Sequence, residues 1–141
     1  MKVNERAWQR ALNLRGYFAS EYLKYHGPTD SEAGAFLVSK ASEYGYTDRV
    51  RAVPGSTLRC WMSSQNAPQW AIKTMIRYVL YKGFIPEDED VLDAILVYLL
   101  IDVQPVNFKF FFEQTELNKF DELELELSIK RIWHAKFTPF E

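Results

Sequence analysis

Few residues in this chain are placed to do covalent chemistry. His26 stands beside a Gly27-Pro28 turn and His134 in an aromatic tail, and neither has a second ligand at metal-binding spacing. Cys60 is the single cysteine, which excludes an internal disulfide and a thiolate zinc cluster. With no histidine near it in sequence, it reads as a packed or incidental thiol. Glu87-Asp88-Glu89-Asp90 follows Pro86 and precedes an apolar run, so it reads as a helix start, where negative charge is favoured. Glu122, Glu124 and Glu126 alternate along the chain and point to one solvated face, not to a paired acid and base. No glycine-rich phosphate loop is present. The expectation is a protein that is not an enzyme and holds no metal or cofactor.

Hydrogen-bonding chemistry is better represented. Ser56, Thr57, Arg59, Ser63, Ser64, Gln65, Asn66 and Gln69 crowd into one short stretch, with Arg49 and Arg51 before it and Lys73 and Arg77 after it. Side chains of these types donate to phosphate oxygens and to base edges. Arg59 is the one long basic donor inside the stretch, suited to guanine or to a phosphate. The charge distribution agrees. A net charge of −2 conceals 12 Lys/Arg against 6 Asp/Glu in residues 1–82, and 5 against 13 in residues 83–141. The halves carry +6 and −8, the asymmetry of a chain in which one half meets a polyanion.

Helical periodicity organises the basic half. Ala7, Ala11, Leu14, Phe18, Tyr22 and Tyr25 recur at steps of three and four, predicting one helix from Asn4 to Tyr25 that Gly27-Pro28 ends. Thr29 followed by Glu32 is a capping-box pattern, and Ala33, Phe36, Leu37, Ala41 and Tyr44 form the next apolar stripe. Ser56 offers an N-cap for a short third helix held by Leu58, Trp61 and Met62. Pro68 opens a fourth, with Trp70, Ile72, Met75, Ile76, Val79 and Leu80 on its apolar side. Ala94 to Ile101 is apolar on nearly every side, which predicts a fifth helix central to the core or to an interface.

Beyond Pro105 the period changes to two. Val106, Phe108, Phe110 and Phe112 alternate, as do Leu123, Leu125, Leu127 and Ile129, and the favoured reading is an antiparallel hairpin. Leu117, Phe120, Leu123 and Leu127 also fit a helix, and Glu and Leu are strong helix formers. Each aromatic ring buries about 150–250 Å², more than one hairpin accommodates. Phe108, Phe110, Phe112, Leu123, Leu125 and Leu127 are therefore expected to support a homodimer.

The stretch from Ser56 to Pro68, followed by Trp70, Ile72, Ile76 and Leu80, resembles the recognition helix and following helix of phage-repressor-type (Cro/CI-like) helix-turn-helix domains. The resemblance is best over residues 56–80. It implies that Leu58, Trp61 and Met62 hold the helix to its domain while Thr57, Arg59, Ser63 and Ser64 enter the major groove. Family members join this helix to the preceding one by a short turn, whereas here Gly45 to Gly55 intervenes.

The expected fold is mainly α with a small C-terminal β element (α+β): a helical helix-turn-helix region at 1–84 of about five helices, and an acidic dimerisation region at 85–141. The expected function is sequence-specific binding of double-stranded DNA by a homodimeric transcriptional regulator of phage or mobile-element type. The alternative is a small protein-interaction module working through its acidic C-terminal half. Met1-Lys2-Val3-Asn4-Glu5-Arg6 lacks the apolar run of a signal peptide. The longest apolar stretch, Val91 to Val103, contains Asp93 and Asp102 and falls short of the about 20 residues a bilayer span requires. A cytoplasmic protein with no membrane partner and no small-molecule ligand is expected.

Overall fold

A computed structural model describes residues 2–133. His134 lies outside the described residues. The chain runs α1 (Glu5–Asn13), α2 (Arg15–His26), α3 (Asp30–Glu43), α4 (Gly55–Ser64), α5 (Gln69–Tyr81), α6 (Glu89–Leu100), α7 (Phe108–Gln114) and α8 (Glu122–Ile132). Short 3-10 turns at Pro105–Asn107 and Glu116–Lys119 flank α7. No strand occurs among the described residues, where extended pairing is limited to an isolated antiparallel bridge between Val3 and Trp133.

The expected C-terminal hairpin is therefore wrong, and so is the α+β class; the described chain is helical. The reason is visible in which side chains are buried. On α8 they are Leu125, Ser128, Ile129 and Ile132, spaced at three and four, while Leu123 and Leu127 stay exposed. The alternation of leucine with glutamate coincided with a strand pattern, but helix propensity and a helical apolar stripe decided the outcome. On α7 the buried pair Phe108 and Phe112 is one turn apart, and Phe110 faces outward.

The first helix is also broken where one continuous helix was expected. Leu14 takes φ −99° and ψ 4°, outside the helical well, and separates α1 from α2. The break coincides with a division of the chain into two compact units. One is the contiguous segment Asn13–Phe84; the other, among the described residues, joins 2–12 to 85–133. Residues 1–84 were expected to form one region, yet residues 2–12 pack with residues of the segment 85–133.

In the contiguous unit, α5 is the central helix, packed against α2 and α3, and α4 also lies against α2 and α3. Phe18, Tyr22, Leu37, Leu58, Ile72, Met75 and Ile76 are completely buried there. Thr29 Oγ1 accepts from the Glu32 N–H at 3.2 Å and starts α3, the cap that the sequence pattern indicates. In the other unit α6 is the core, buried from Val91 to Leu100. Asp88 Oδ1 accepts from the Val91 N–H at 2.9 Å to cap it. The Tyr98 hydroxyl donates to the Ala11 carbonyl at 2.8 Å, and the Trp8 and Tyr98 rings lie 6.3 Å apart, so α1 is stitched to α6. No single helix among the described residues is long and apolar enough to cross a membrane.

Candidate nucleic-acid interface

Helix α4 is built as an amphipathic rod with one deep anchor. Leu58 is fully buried, which contributes about 1.5–3 kcal/mol, and Trp61 and Met62 are half-buried beside it. Ser56, Arg59, Cys60 and Ser63 are exposed, and Thr57 is half-exposed. Ser56 is the second residue of the helix and not its N-cap; Pro54 occupies the capping position without a side-chain bond. The expected turn of polar groups is thus presented on a single outward face, with Asn66 and Gln69 exposed just beyond its C-terminus.

Two glycines let the backbone of this region close up. A Cβ on Gly16 of α2 would strike the Met62 carbonyl of α4, and one on Gly34 of α3 would strike the Val53 carbonyl. The Val53 N–H in turn donates to the Gly34 carbonyl at 3.3 Å, and Val53 is buried. The long connection before α4 is therefore tied to α3 at its end. Arg49 is folded into that connection: its Nε donates to the Arg51 carbonyl at 2.7 Å and its Nη2 to the Ala52 carbonyl at 3.3 Å. Arg51 is exposed, and its guanidinium makes no ion pair among the described residues.

At the other end of α4, Gln65 adopts the left-handed region at φ 57° and ψ 29°, a conformation costing a non-glycine residue about 1–2 kcal/mol. Its Oε1 accepts from the Gly16 N–H at 2.7 Å. This satisfies a donor at the start of α2, which has no capping side chain of its own. Gln65 thus works as a structural clasp. Ser64 is also turned inward, its Oγ buried without a partner among the described residues.

The structure places the other named residues in contrasting settings. Arg59 pairs with Asp30 at the first position of α3, Nε to Oδ2 at 2.6 Å and Nη2 to Oδ1 at 3.2 Å. That hydrogen bond, and secondarily the charge of Asp30, raises the Arg59 pKa above its ordinary value, so the guanidinium stays charged. Lys73, expected at the surface, is only 6% exposed, with Nζ 5.2 Å from the centre of the Tyr46 ring. Burial against that ring withdraws it from the phosphate role expected of it. Arg77 stacks its guanidinium 3.8 Å from the Tyr44 ring centre, and Lys40 Nζ lies 5.6 Å from the same ring. Three cations thus surround two tyrosines at the end of α3.

Of the six residues expected at a dimer surface, Phe108, Phe112 and Leu125 are core residues, removed from solvent by the helical register. Phe110 at 67% exposure, Leu123 at 60% and Leu127 at 47% remain on the surface.

Sequence reasoning missed the role of Asp30, because its position at a helix start reads as a dipole partner and gives no sign of a residue 29 positions away. It also missed the tyrosines 44 and 46, whose spacing after a helix looks like ordinary helix-end packing. No group of three or more His, Cys, Asp or Glu residues capable of holding a metal ion occurs among the described residues. No family model, characterised protein or solved structure matches this chain.

Proposed function

We propose that this protein binds double-stranded DNA through α4 and acts as a homodimeric, sequence-specific transcriptional regulator in the cytoplasm, of the phage or mobile-element type that its sequence resembles. The observation that carries the reading is the outward face of α4. An anchored, short helix presents Ser56, Thr57, Arg59 and Ser63 to solvent, with Asn66 and Gln69 alongside, in the part of the chain with a cationic surplus. Neutral hydroxyls and amides reach base edges without the cost of desolvating a charge, and exposed Arg51 and Arg49 supply sequence-independent attraction to phosphate. Gln65, Ser64 and Lys73 take no part in recognition, since each is committed to the fold. Dimerisation is assigned to the surface formed by Leu123 and Leu127, one turn apart on α8.

The decisive experiment is fluorescence anisotropy with the duplex upstream of the protein's own gene and random duplex as competitor. Specific binding that falls steeply with salt, and weakens in Arg51→Ala and in a Ser56→Ala/Asn66→Ala double variant, supports the reading. Equal binding to all duplexes, or none, overturns it.

A further inference from the structure

The C-terminal unit is acidic, yet its three arginines open onto one concavity. Arg6 and Arg10 stand a turn apart on α1, and Arg131 lies in the last turn of α8. With Asn4, Ala7, Asp93 and Ala94 they line a cleft of about 440 Å³, within the about 300–1,000 Å³ typical of small-molecule sites. None of the described lysines of this unit lines it.

Like charges gathered in a concavity repel unless countercharges offset them. Three carboxylates stand near these arginines, Asp93, Asp90 and Glu89, and the last, 79% exposed, lies 3.9 Å from Arg131 Nη1 in a pair that solvent screens. Asp93, 5% exposed, accepts from Arg131 Nη2 at 2.8 Å and from Arg131 Nε at 3.0 and 3.1 Å, and from the Ser128 hydroxyl. Arg10 faces Asp90 at 3.3 Å in an exposed pair that water and salt screen. Arg6 makes no ion pair among the described residues and is exposed. The lining itself thus holds three arginines against the one carboxylate of Asp93, with Arg6 left as its unengaged cation, beside the N-terminal turn of α1, where Asn4 Oδ1 accepts from the Ala7 N–H at 2.8 Å and the helix dipole adds in the same sense. Arginine, unlike lysine, offers a planar fork that matches a phosphate or carboxylate with two parallel bonds.

We propose that this cleft binds a small ligand through its oxyanion group, a phosphate or a carboxylate. Arg6 and Arg10 grip that group, the Asp93–Arg131 pair forms the rigid wall, and Ala7 and Ala94 give the small apolar floor. The assignment stands apart from the DNA reading and survives its failure.

The test is thermal unfolding and calorimetric titration of the full chain with inorganic phosphate and, separately, with citrate, each against sodium chloride at matched ionic strength. A specific rise in Tm with either probe is expected, the two arms distinguishing phosphate from carboxylate. Arg6→Gln and Arg10→Gln each weaken binding about tenfold, equivalent to about 1.4 kcal/mol, while Lys24→Gln, at an exposed cation of the other unit, leaves binding of both probes unchanged. Ligand-induced amide shifts in nuclear magnetic resonance spectra centre on Ala7 and Ala94. Absence of any Tm rise with both probes overturns the proposal, as does a rise that persists in the Arg6→Gln/Arg10→Gln double variant. If the variants instead lose affinity for random duplex while both probes leave Tm unchanged, the arginines serve a nucleic-acid backbone and the small-ligand assignment falls.

Discussion

Arg59 of α4 grips Asp30 of α3 with two hydrogen bonds, so the strongest basic donor on the candidate recognition face is held by a carboxylate. A phosphate or guanine approaching α4 competes with Asp30 for the same guanidinium. Asp30→Asn removes the competitor and one negative charge. The expected outcome is several-fold tighter duplex binding and a salt dependence steeper by about one unit of log–log slope. Anisotropy titrations across a salt series measure both. No change in either assigns Arg59 to helix packing alone.

The backbone approach at Gly16 and Gly34 leaves no room for a methyl group. Gly16→Ala and Gly34→Ala each drive a Cβ into a carbonyl, and overpacking of this kind destabilises by about 1–3 kcal/mol. Urea unfolding reports the loss as a lower midpoint with an unchanged slope. Because both glycines seat α4, duplex binding at temperatures well below the transition weakens as well.

Asp93 tests the cost of an inward charge. Asp93→Ala strands the Arg131 guanidinium, which is one-third exposed, so the expected loss is about 2–3 kcal/mol, below the 3–5 of a pair with no solvent access. Ser128→Ala removes one bond to a charged acceptor and costs less, about 1.5 kcal/mol. Equal losses in the two variants contradict this ranking, again by equilibrium unfolding.

Tyr22 gives a pH signature. Its hydroxyl is buried and donates to the Ala33 carbonyl at 2.7 Å. Burial, aided by the charge of Tyr78, pushes its pKa well above the ordinary tyrosine range. The folded state keeps this proton while the unfolded chain releases it above about pH 10. The contribution is complete below that pH and is lost as pH rises further. Tyr22→Phe is less stable by about 1 kcal/mol near neutrality, and the gap narrows in alkaline melts. A gap that stays constant to the alkaline limit contradicts the assignment.

Leu123 and Leu127 carry the dimer prediction. Leu123→Glu with Leu127→Glu is expected to give a monomer of undiminished helicity, seen by light scattering with circular dichroism. It also weakens operator binding, since two recognition helices must act about 34 Å apart. A wild-type chain that remains monomeric at tens of micromolar removes the dimer while leaving DNA binding intact.

The helical elements of the basic region were legible because their apolar stripes repeat at three and four and their ends carry Thr29, Gly27 and Pro68. The central burial of α6 was legible too, from an apolar run with no polar face. The C-terminal helices were not, because Leu123, Leu125, Leu127 and Ile129 satisfy a period of two in sequence, while the helix buries Leu125, Ser128, Ile129 and Ile132 and leaves Leu123 and Leu127 outside. The site was legible only as a set of residue types. What decides which of them face solvent is tertiary: Gln65 bonds to Gly16 across 49 positions, Arg59 to Asp30 across 29, and Arg131 to Asp93 across 38. No local pattern announces such pairings, and the first two changed the role of a residue chosen for its chemistry.

The division of the chain at Leu12 and Ile85 has a consequence for synthesis. The segment Asn13–Phe84 is contiguous and completes its own core as soon as it has emerged from the ribosome. Helix α1 emerges before α2 to α6, but Trp8 and Ala11 find their partner Tyr98 only when α6 has been made, and Asn4 its partner only when Ile132 has. Helix α1 is therefore translated ahead of the contiguous unit yet docks after it. Its apolar stripe stays open to water throughout the interval.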